Sequence, residues 1–263
     1  RGEGGKLFNN LGERFMQKYD SKRMELSTRD KVAIANYVEI EKGNGTKNGG
    51  VYLDISHLDK NQIVEKLPAI YRKFIEYQMI DISKEPMEVA PTAHYSMGGI
   101  LISSLDHMTS VEGLFACGEV AGGLHGGNRL GGNSLAEILV FGKRAGNAAA
   151  RFSITLEKHI RDLDEVSKGI EEIDGLIKPG EEIGRQIEKE IFDTMWSKCG
   201  VMRDEKRLKE GLQKINELKL KFINVDVRNE EGCYQDLIIA LNIKSSLLCA
   251  EATLMSALER KES

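Results

Sequence analysis

Gly123-Leu-His-Gly-Gly-Asn-Arg-Leu-Gly-Gly-Asn-Ser-Leu135 is the stretch on which the reading of the fold turns. Together with Pro91-Thr-Ala-His-Tyr-Ser-Met-Gly-Gly-Ile100 and Gly113-Leu-Phe-Ala-Cys-Gly-Glu119, it concentrates the chain's glycine and its least ordinary polar chemistry. Paired glycines such as Gly98 and Gly99 let backbone approach a ligand or another backbone closely. His94, Glu119, His125, Asn128, Arg129 and Ser134 are set among them. Asn133 and Ser134 are cap candidates for a helix in which Leu135, Ile138, Leu139, Gly142, Ala145, Gly146 and Ala149 recur at helical spacing, small enough for tight packing.

A glycine-rich turn running into a helix N-terminus presents free backbone N–H groups and a partial positive charge. Such a start suits an anion, a phosphate or the electron-rich edge of a reduced flavin. The plain alternative is an ordinary glycine-rich connection.

Composition narrows the setting. A chain of 263 residues can bury a substantial core as one large or two smaller domains. With 30% charged residues and a net charge of −4, it lacks the broad positive field of a nucleic-acid binder or a membrane-surface protein. No apolar run reads as a membrane span and no signal-peptide pattern opens the chain, so a cytoplasmic protein with no direct membrane span is expected. Cys117, Cys199, Cys233 and Cys249 are scattered without CxxC spacing, which argues against a zinc or iron–sulfur site made within the chain. No metal ligands are assigned, and buried free thiols are the expected state.

Working outward, the N-terminus begins abruptly at Arg1 without Met and reads as a cut chain, then enters a strand at Lys6. Residues 31 to 41 form a helix after Ser27 or Thr28 as cap. Arg29 falls in its first turn, where the helix dipole disfavours a cation, so a carboxylate or a ligand should offset it. A strand at 51 to 55 is followed by a helix over 60 to 76 with Ile63, Leu67, Ile70, Phe74 and Tyr77 inward. Residues 81 to 91 read as extended, punctuated by Pro86 and Pro91. Beyond Asp162 the chain is charged and helical. Three amphipathic helices, with Ile187, Ile191, Met195 and Trp196, then Leu208, Leu212, Ile215, Leu218 and Phe222, then Leu237, Leu241, Leu248, Ala252, Met255 and Leu258, form a bundle of about ninety residues with Trp196 in its core.

Three segments, His94-Tyr-Ser-Met-Gly-Gly-Ile100, Gly113-Leu-Phe-Ala-Cys-Gly-Glu119 and Gly123 to Leu135, closely resemble the flavoprotein subunits of succinate dehydrogenase and fumarate reductase, with L-aspartate oxidase a near relative. Arg1-Gly-Glu-Gly-Gly5, Ser27-Thr-Arg-Asp-Lys-Val32, Val201-Met-Arg-Asp-Glu-Lys206 and the stretch from Ala250 to Ser263 extend the resemblance over nearly the whole chain. It implies an α+β chain in three parts: the second half of a capping domain (1–85), the returning segment of an FAD-binding domain (86–155) and a helical C-terminal domain (156–263).

The resemblance also implies roles. Arg129 and His94 would bind a C4 dicarboxylate, fumarate or succinate, and Arg29 would be catalytic by protonating one alkene carbon while FAD N5 delivers hydride to the other. Gly98, Gly99, Glu119, Asn133, Ser134 and Leu135 would bind FAD, with Glu119 on its ribityl or ribose hydroxyls. An iron–sulfur subunit would be a partner, placing the protein in the cytoplasm or at the cytoplasmic face of the membrane. The strand–GxGxxG–helix unit of a dinucleotide site is absent from this sequence, as is the upstream segment that supplies a substrate-contacting threonine and a proton-relay acid in family members. The chain alone is therefore expected to be inactive. L-aspartate oxidase and a non-catalytic assembly module are the alternatives.

Overall fold

The structure is a computed structural model that describes residues 1–157, 162–228 and 234–260. Cys233 and the end of the 250–263 segment lie outside the described residues. The chain divides into two compact units, Arg1–Pro91 with Leu163–Ser263, and Thr92–Asp162. Helices with a small sheet make an α+β chain, in agreement with the sequence expectation.

In the first unit, strands Lys6–Phe8 (β1), Val51–Asp54 (β2) and Met87–Val89 (β3) form an antiparallel sheet in that order, with Leu7 opposite Leu53 and Leu53 opposite Met87. Helices Met16–Tyr19 (α1) and Arg29–Glu39 (α2) pack Phe15, Met16, Val32 and Ala35 against Leu7 and Val51. Two buried carboxylates brace the connections. Glu25 accepts from Leu7 N at 3.0 Å and from Arg14 Nε at 2.9 Å, and Glu39 accepts from Asn9 Nδ2, Asn44 Nδ2 and the Tyr19 hydroxyl. Burial alone would raise both acids, but these hydrogen bonds overcome it and hold both below the ordinary carboxylate value. Both carboxylates therefore stabilise the fold above the unfolded glutamate value of about 4.3, and their contribution is lost as pH falls below it.

Thr28 is the N-cap of α2, but its side chain makes no cap hydrogen bond, and the Ser27 hydroxyl donates instead to Asp20 at 2.8 Å. The helix expected over 60 to 76 is broken. Lys60–Lys66 (α3) stops at Leu67, and Pro68–Lys73 (α4) restarts with Pro68 in its first position. Proline has no N–H to continue α3 and its ring clashes with the carbonyl one turn back, whereas its fixed φ suits a helix start. The break resets the helical phase. Ile63 is buried as expected, but Ile70 and Tyr77 are 44% and 78% exposed.

The Asp59 carboxylate caps α3 by accepting from Asn61 N at 2.9 Å and Gln62 N at 3.3 Å. Asp59→Ala should cost about 1 kcal/mol. An unchanged urea midpoint would show that this cap contributes nothing.

The second unit is mostly irregular backbone carrying one long helix, Asn133–Thr155 (α5). Bridges join Ile100 to Ala121 and Met108 to Phe115. The tight packing expected of α5 is limited to Glu137 and Ala145, while Leu135 and Leu139 are 66% and 74% exposed. A helix apolar around much of its girth needs neighbours on several sides, and loops cover only part of this one.

Four helices of the first unit follow in the chain: Leu163–Asp174 (α6), Gly184–Cys199 (α7), Glu205–Phe222 (α8) and Gln235–Glu259 (α9). Ile187 and Ile191 of α7, Leu208, Ile215 and Leu218 of α8, and Ile239, Ile243, Leu247 and Leu254 of α9 share one core. Gly211 allows close approach: a Cβ there would come 3.0 Å from Leu254 Cδ2. Contrary to the sequence expectation, α9 is long and apolar enough to cross a membrane. Its apolar residues at 239, 243, 247, 250 and 254 instead face α7 and α8, which is the pattern of a bundle's core helix. Trp196 is not a core residue; it is 42% exposed and meets the buried Tyr37 ring edge-on at 5.7 Å. The expectation of buried thiols holds for Cys199 alone among the described cysteines, since Cys117 is half-buried and Cys249 exposed.

Candidate functional site

The segment around Gly98 and Gly99 runs beside residues 118–122. Ile100 N donates to Val120 O at 2.8 Å, and Gly122 N donates to Ile100 O at 2.9 Å. Gly99 has φ +132°, and a Cβ placed on it would lie 2.1 Å from Val120 O, so the two backbones touch where a side chain would stand. Glu119 ties the same segments, its Oε1 accepting from Ser96 N at 2.8 Å. The backbone around Gly98 and Gly99 is thus held by Ile100 on one side and Ser96 on the other.

The start of α5 is built differently from the sequence expectation. Gly132, at φ +86°, is the N-cap, and Asn133 and Ser134 lie inside the first turn with no side-chain cap bond. An asparagine or serine cap sits in the β region, whereas the left-handed turn here falls to the residue that tolerates it. The consequence is a helix start without a side-chain cap: Asn133 N donates to Leu130 O at 3.3 Å, and the N–H groups that follow it are placed to meet an electron-rich ligand.

Arg129 lies half-buried just upstream. Its guanidinium carbon is 4.6 Å from the Tyr95 ring centroid, Nη1 donates to Leu130 O at 3.2 Å, and Nε is buried with no hydrogen-bond partner among the described residues. A buried guanidinium N–H without a partner is costly, which points to an acceptor supplied from outside the chain.

Below the ring, the Tyr95 hydroxyl donates to Glu137 Oε2 at 2.7 Å, and His125 Nε2 lies 2.8 Å from the same oxygen. Glu137 is only 4% exposed. Its burial would raise the acid, but Tyr95 and His125 outweigh that and hold it below the usual carboxylate range. The hydrogen bond to Glu137 in turn pushes the Tyr95 phenol up to about 12, so Tyr95 remains a donor through neutral pH.

A cavity of about 300 Å³ adjoins this cluster, lined by His107, Cys117, Gly118, Gly122, Glu137 and Phe141 among others. His107 is buried at φ +65°, its ring 5.1 Å from that of Phe141, and neither ring nitrogen has a partner among the described residues. A largely apolar wall interrupted by an imidazole with unpaired nitrogens is what a flat heteroaromatic ring requires. The close glycine backbones, the uncapped helix start and this cavity fit a flavin nucleotide.

Of the residues expected from sequence, His94, Gly98, Gly99, Glu119, Arg129, Asn133, Ser134 and Leu135 all fall in the second unit. His94 is exposed and immediately precedes Tyr95, the ring on which Arg129 stacks. Arg29 belongs to the first unit, exposed at the first position of α2 and without an ion pair or hydrogen bond among the described residues. Sequence reasoning missed Tyr95 and Glu137. The signal for Glu137 was a carboxylate between Leu135 and Ile138 on an otherwise apolar helix, an arrangement that needs a buried partner.

Comparison with known proteins identifies the relatives of this chain. The FAD binding domain family matches residues 1–135, and the fumarate reductase flavoprotein C-terminal family matches residues 188–263. One subunit of the fumarate reductase (CoM/CoB) of Methanothermobacter marburgensis is 45% identical over 267 aligned residues, covering 100% of this chain and 47% of that protein. An uncharacterized FAD-dependent oxidoreductase of Methanocaldococcus jannaschii is 46% identical, again over 100% of this chain and 47% of its own length. A solved quinol-fumarate reductase with menaquinol molecules superposes with a TM-score of 0.90 at 37% identity, covering 100% of this chain and 49% of that one. The chain thus spans about half the length of the curated relatives it matches. It belongs to the FAD-dependent oxidoreductase family of fumarate reductase and succinate dehydrogenase flavoprotein subunits.

Proposed function

We propose that this chain is the substrate-binding and part of the flavin-binding portion of a flavoprotein that interconverts fumarate and succinate. The observation that carries the reading is the half-buried guanidinium of Arg129, stacked on Tyr95, whose Nε has no partner among the described residues. A dicarboxylate supplies the missing acceptor, and the planar guanidinium fork matches a carboxylate as lysine cannot. His94, one residue from the stacked Tyr95, takes the second carboxylate.

Gly98, Gly99, Glu119 and the helix start at Asn133, Ser134 and Leu135 hold FAD, which when bound supplies hydride chemistry at its ring. Arg29 donates the proton. An arginine has a pKa above about 12 in water, so it acts as an acid only when a relay returns its proton. In this reading residues 1–85 form part of a capping domain, 86–155 the returning segment of the FAD-binding domain and 156–263 the helical domain. An iron–sulfur subunit is the electron partner, and through it the protein works in the cytoplasm or at the cytoplasmic face of the membrane.

The test uses the complete native polypeptide containing this segment, loaded with FAD, and follows anaerobic oxidation of reduced viologen. Fumarate-dependent oxidation is expected. A response to L-aspartate without one to fumarate would move the protein to the aspartate oxidase branch, and neither activity would leave a binding role. Arg29→Lys should lower kcat about a hundredfold while leaving KM for fumarate nearly unchanged, as befits a residue that moves a proton without holding the ground state. Equal loss in kcat and rise in KM would remove the proton-donor role.

A further inference from the structure

The proposed clamp leaves a buried charge without a role. Glu137 projects from the second turn of α5, 4% exposed, on a helix whose other inward residues are apolar. A leucine there would hold a helix to its loops with less desolvation. Both partners of the carboxylate, Tyr95 and His125, come instead from the two segments that carry His94 and Arg129.

The contacts run in one line. A single oxygen, Glu137 Oε2, receives the Tyr95 hydroxyl at 2.7 Å and faces His125 Nε2 at 2.8 Å. The two rings stand edge to face, with centroids 5.5 Å apart and planes at 82°. Tyr95 is therefore held at its tip by the carboxylate and along its side by His125. Its face carries the Arg129 guanidinium at 4.6 Å. The stack orients a side chain whose one hydrogen bond among the described residues runs from Nη1 to the neighbouring Leu130 carbonyl.

We infer that Glu137 is a positioning residue for ligand binding: through Tyr95 and His125 it fixes the ring on which Arg129 rests, so that the guanidinium meets a dicarboxylate already aligned. The inference rests on the reading of Arg129 as the carboxylate clamp. Long cationic side chains lose rotamer freedom when they bind, and a preset ring face removes part of that loss before the ligand arrives. Without the carboxylate the phenol tip and His125 lose their common acceptor. Tyr95 is then free to tilt, and Arg129 to leave its face.

The complete FAD-loaded polypeptide tests this, with malonate as a dead-end dicarboxylate probe read by flavin absorbance and calorimetry, and with fumarate kcat and KM measured alongside. Glu137→Gln keeps volume and removes the charge; Tyr95→Phe keeps the ring and removes the hydroxyl. Each should raise the malonate Kd and the fumarate KM about tenfold while kcat falls less than about threefold. Flavin content should stay at the wild-type level. In an Arg129→Ala background, Glu137→Gln should add nothing, because the group through which it acts is gone.

Wild-type malonate affinity in both single variants would overturn the inference while leaving the clamp intact. So would a further tenfold loss when Glu137→Gln is added to Arg129→Ala, since the two residues would then act independently. Wild-type affinity in Arg129→Ala would overturn the clamp itself, and the positioning role with it. Should Glu137→Gln fail to fold, Tyr95→Phe carries the test alone, with the same expected Kd and KM changes and the same overturning result.

Discussion

Arg129→Ala in the complete FAD-loaded polypeptide should lower kcat/KM for fumarate by roughly a thousandfold or more, because hydrogen bonds to a charged group are worth about 1.5–3 kcal/mol each and the guanidinium offers two in one plane. The same change should leave stability within about 1 kcal/mol of wild type. This separation follows from the structure. Truncating a buried arginine usually strands a carboxylate, but no ion pair of Arg129 exists among the described residues. Its hydrogen bond reaches only the adjacent Leu130 carbonyl, which is exposed to water. The substitution therefore removes a group that already lacks a partner at Nε and leaves behind only the Tyr95 face.

Arg129→Lys keeps the charge and loses the fork, so it should recover only about tenfold of the activity. Steady-state kinetics with fumarate, together with urea unfolding of the same samples, measure both halves of the expectation. A small kinetic effect, or a kinetic loss matched by unfolding, would show that Arg129 serves structure and not the ligand.

What was legible in the sequence had a local cause. The glycine clusters marked close backbone approach, and Gly99 against Val120 O is the place where that approach is tightest. Periodicity found the three bundle helices, with Ile187 and Ile215 each in a stripe that is buried, but it chose the wrong face of α9: Leu241, Leu248 and Met255 are exposed, while Ile239, Ile243, Leu247 and Leu254 form the core. The same reasoning failed where one residue outranked a pattern. Pro68 broke a helix whose apolar spacing ran straight through it, and the left-handed turn at Gly132 displaced Asn133 and Ser134 from the cap.

Long-range pairings were not legible at all. Glu137 meets Tyr95 across 42 positions in sequence, and nothing local to either residue names the other. His107 is the reverse case: an inconspicuous histidine buried beside the cavity with both ring nitrogens unpaired among the described residues. Periodicity and motif register backbone chemistry and burial. Polar side chains that satisfy one another across the fold become visible only when the chain is closed.

Gly99→Ala should cost about 4 kcal/mol, the sum of a backbone conformation that only glycine adopts readily and an overlap that the neighbour cannot relieve. The first contribution is set by φ +132° and the second by Val120 O, 2.1 Å from the new Cβ. That oxygen cannot retreat without loosening its hydrogen bond from Ile100 N at 2.8 Å, on which the bond from Gly122 N to Ile100 O also depends. Two further glycines separate the contributions. Gly123 has φ +99° with no atom within 4 Å of where a Cβ would stand, so Gly123→Ala carries the backbone cost alone, about 1–2 kcal/mol. Gly131 has neither feature, and Gly131→Ala should change stability by less than about 0.5 kcal/mol. Urea unfolding of the three variants should therefore rank Gly99, Gly123 and Gly131 in that order. Flavin content should fall with Gly99→Ala alone, because displacing residues 96–100 also breaks the Ser96 tie to Glu119. If all three variants retained flavin and unfolded together, the contact between these two backbones would not be what shapes the site.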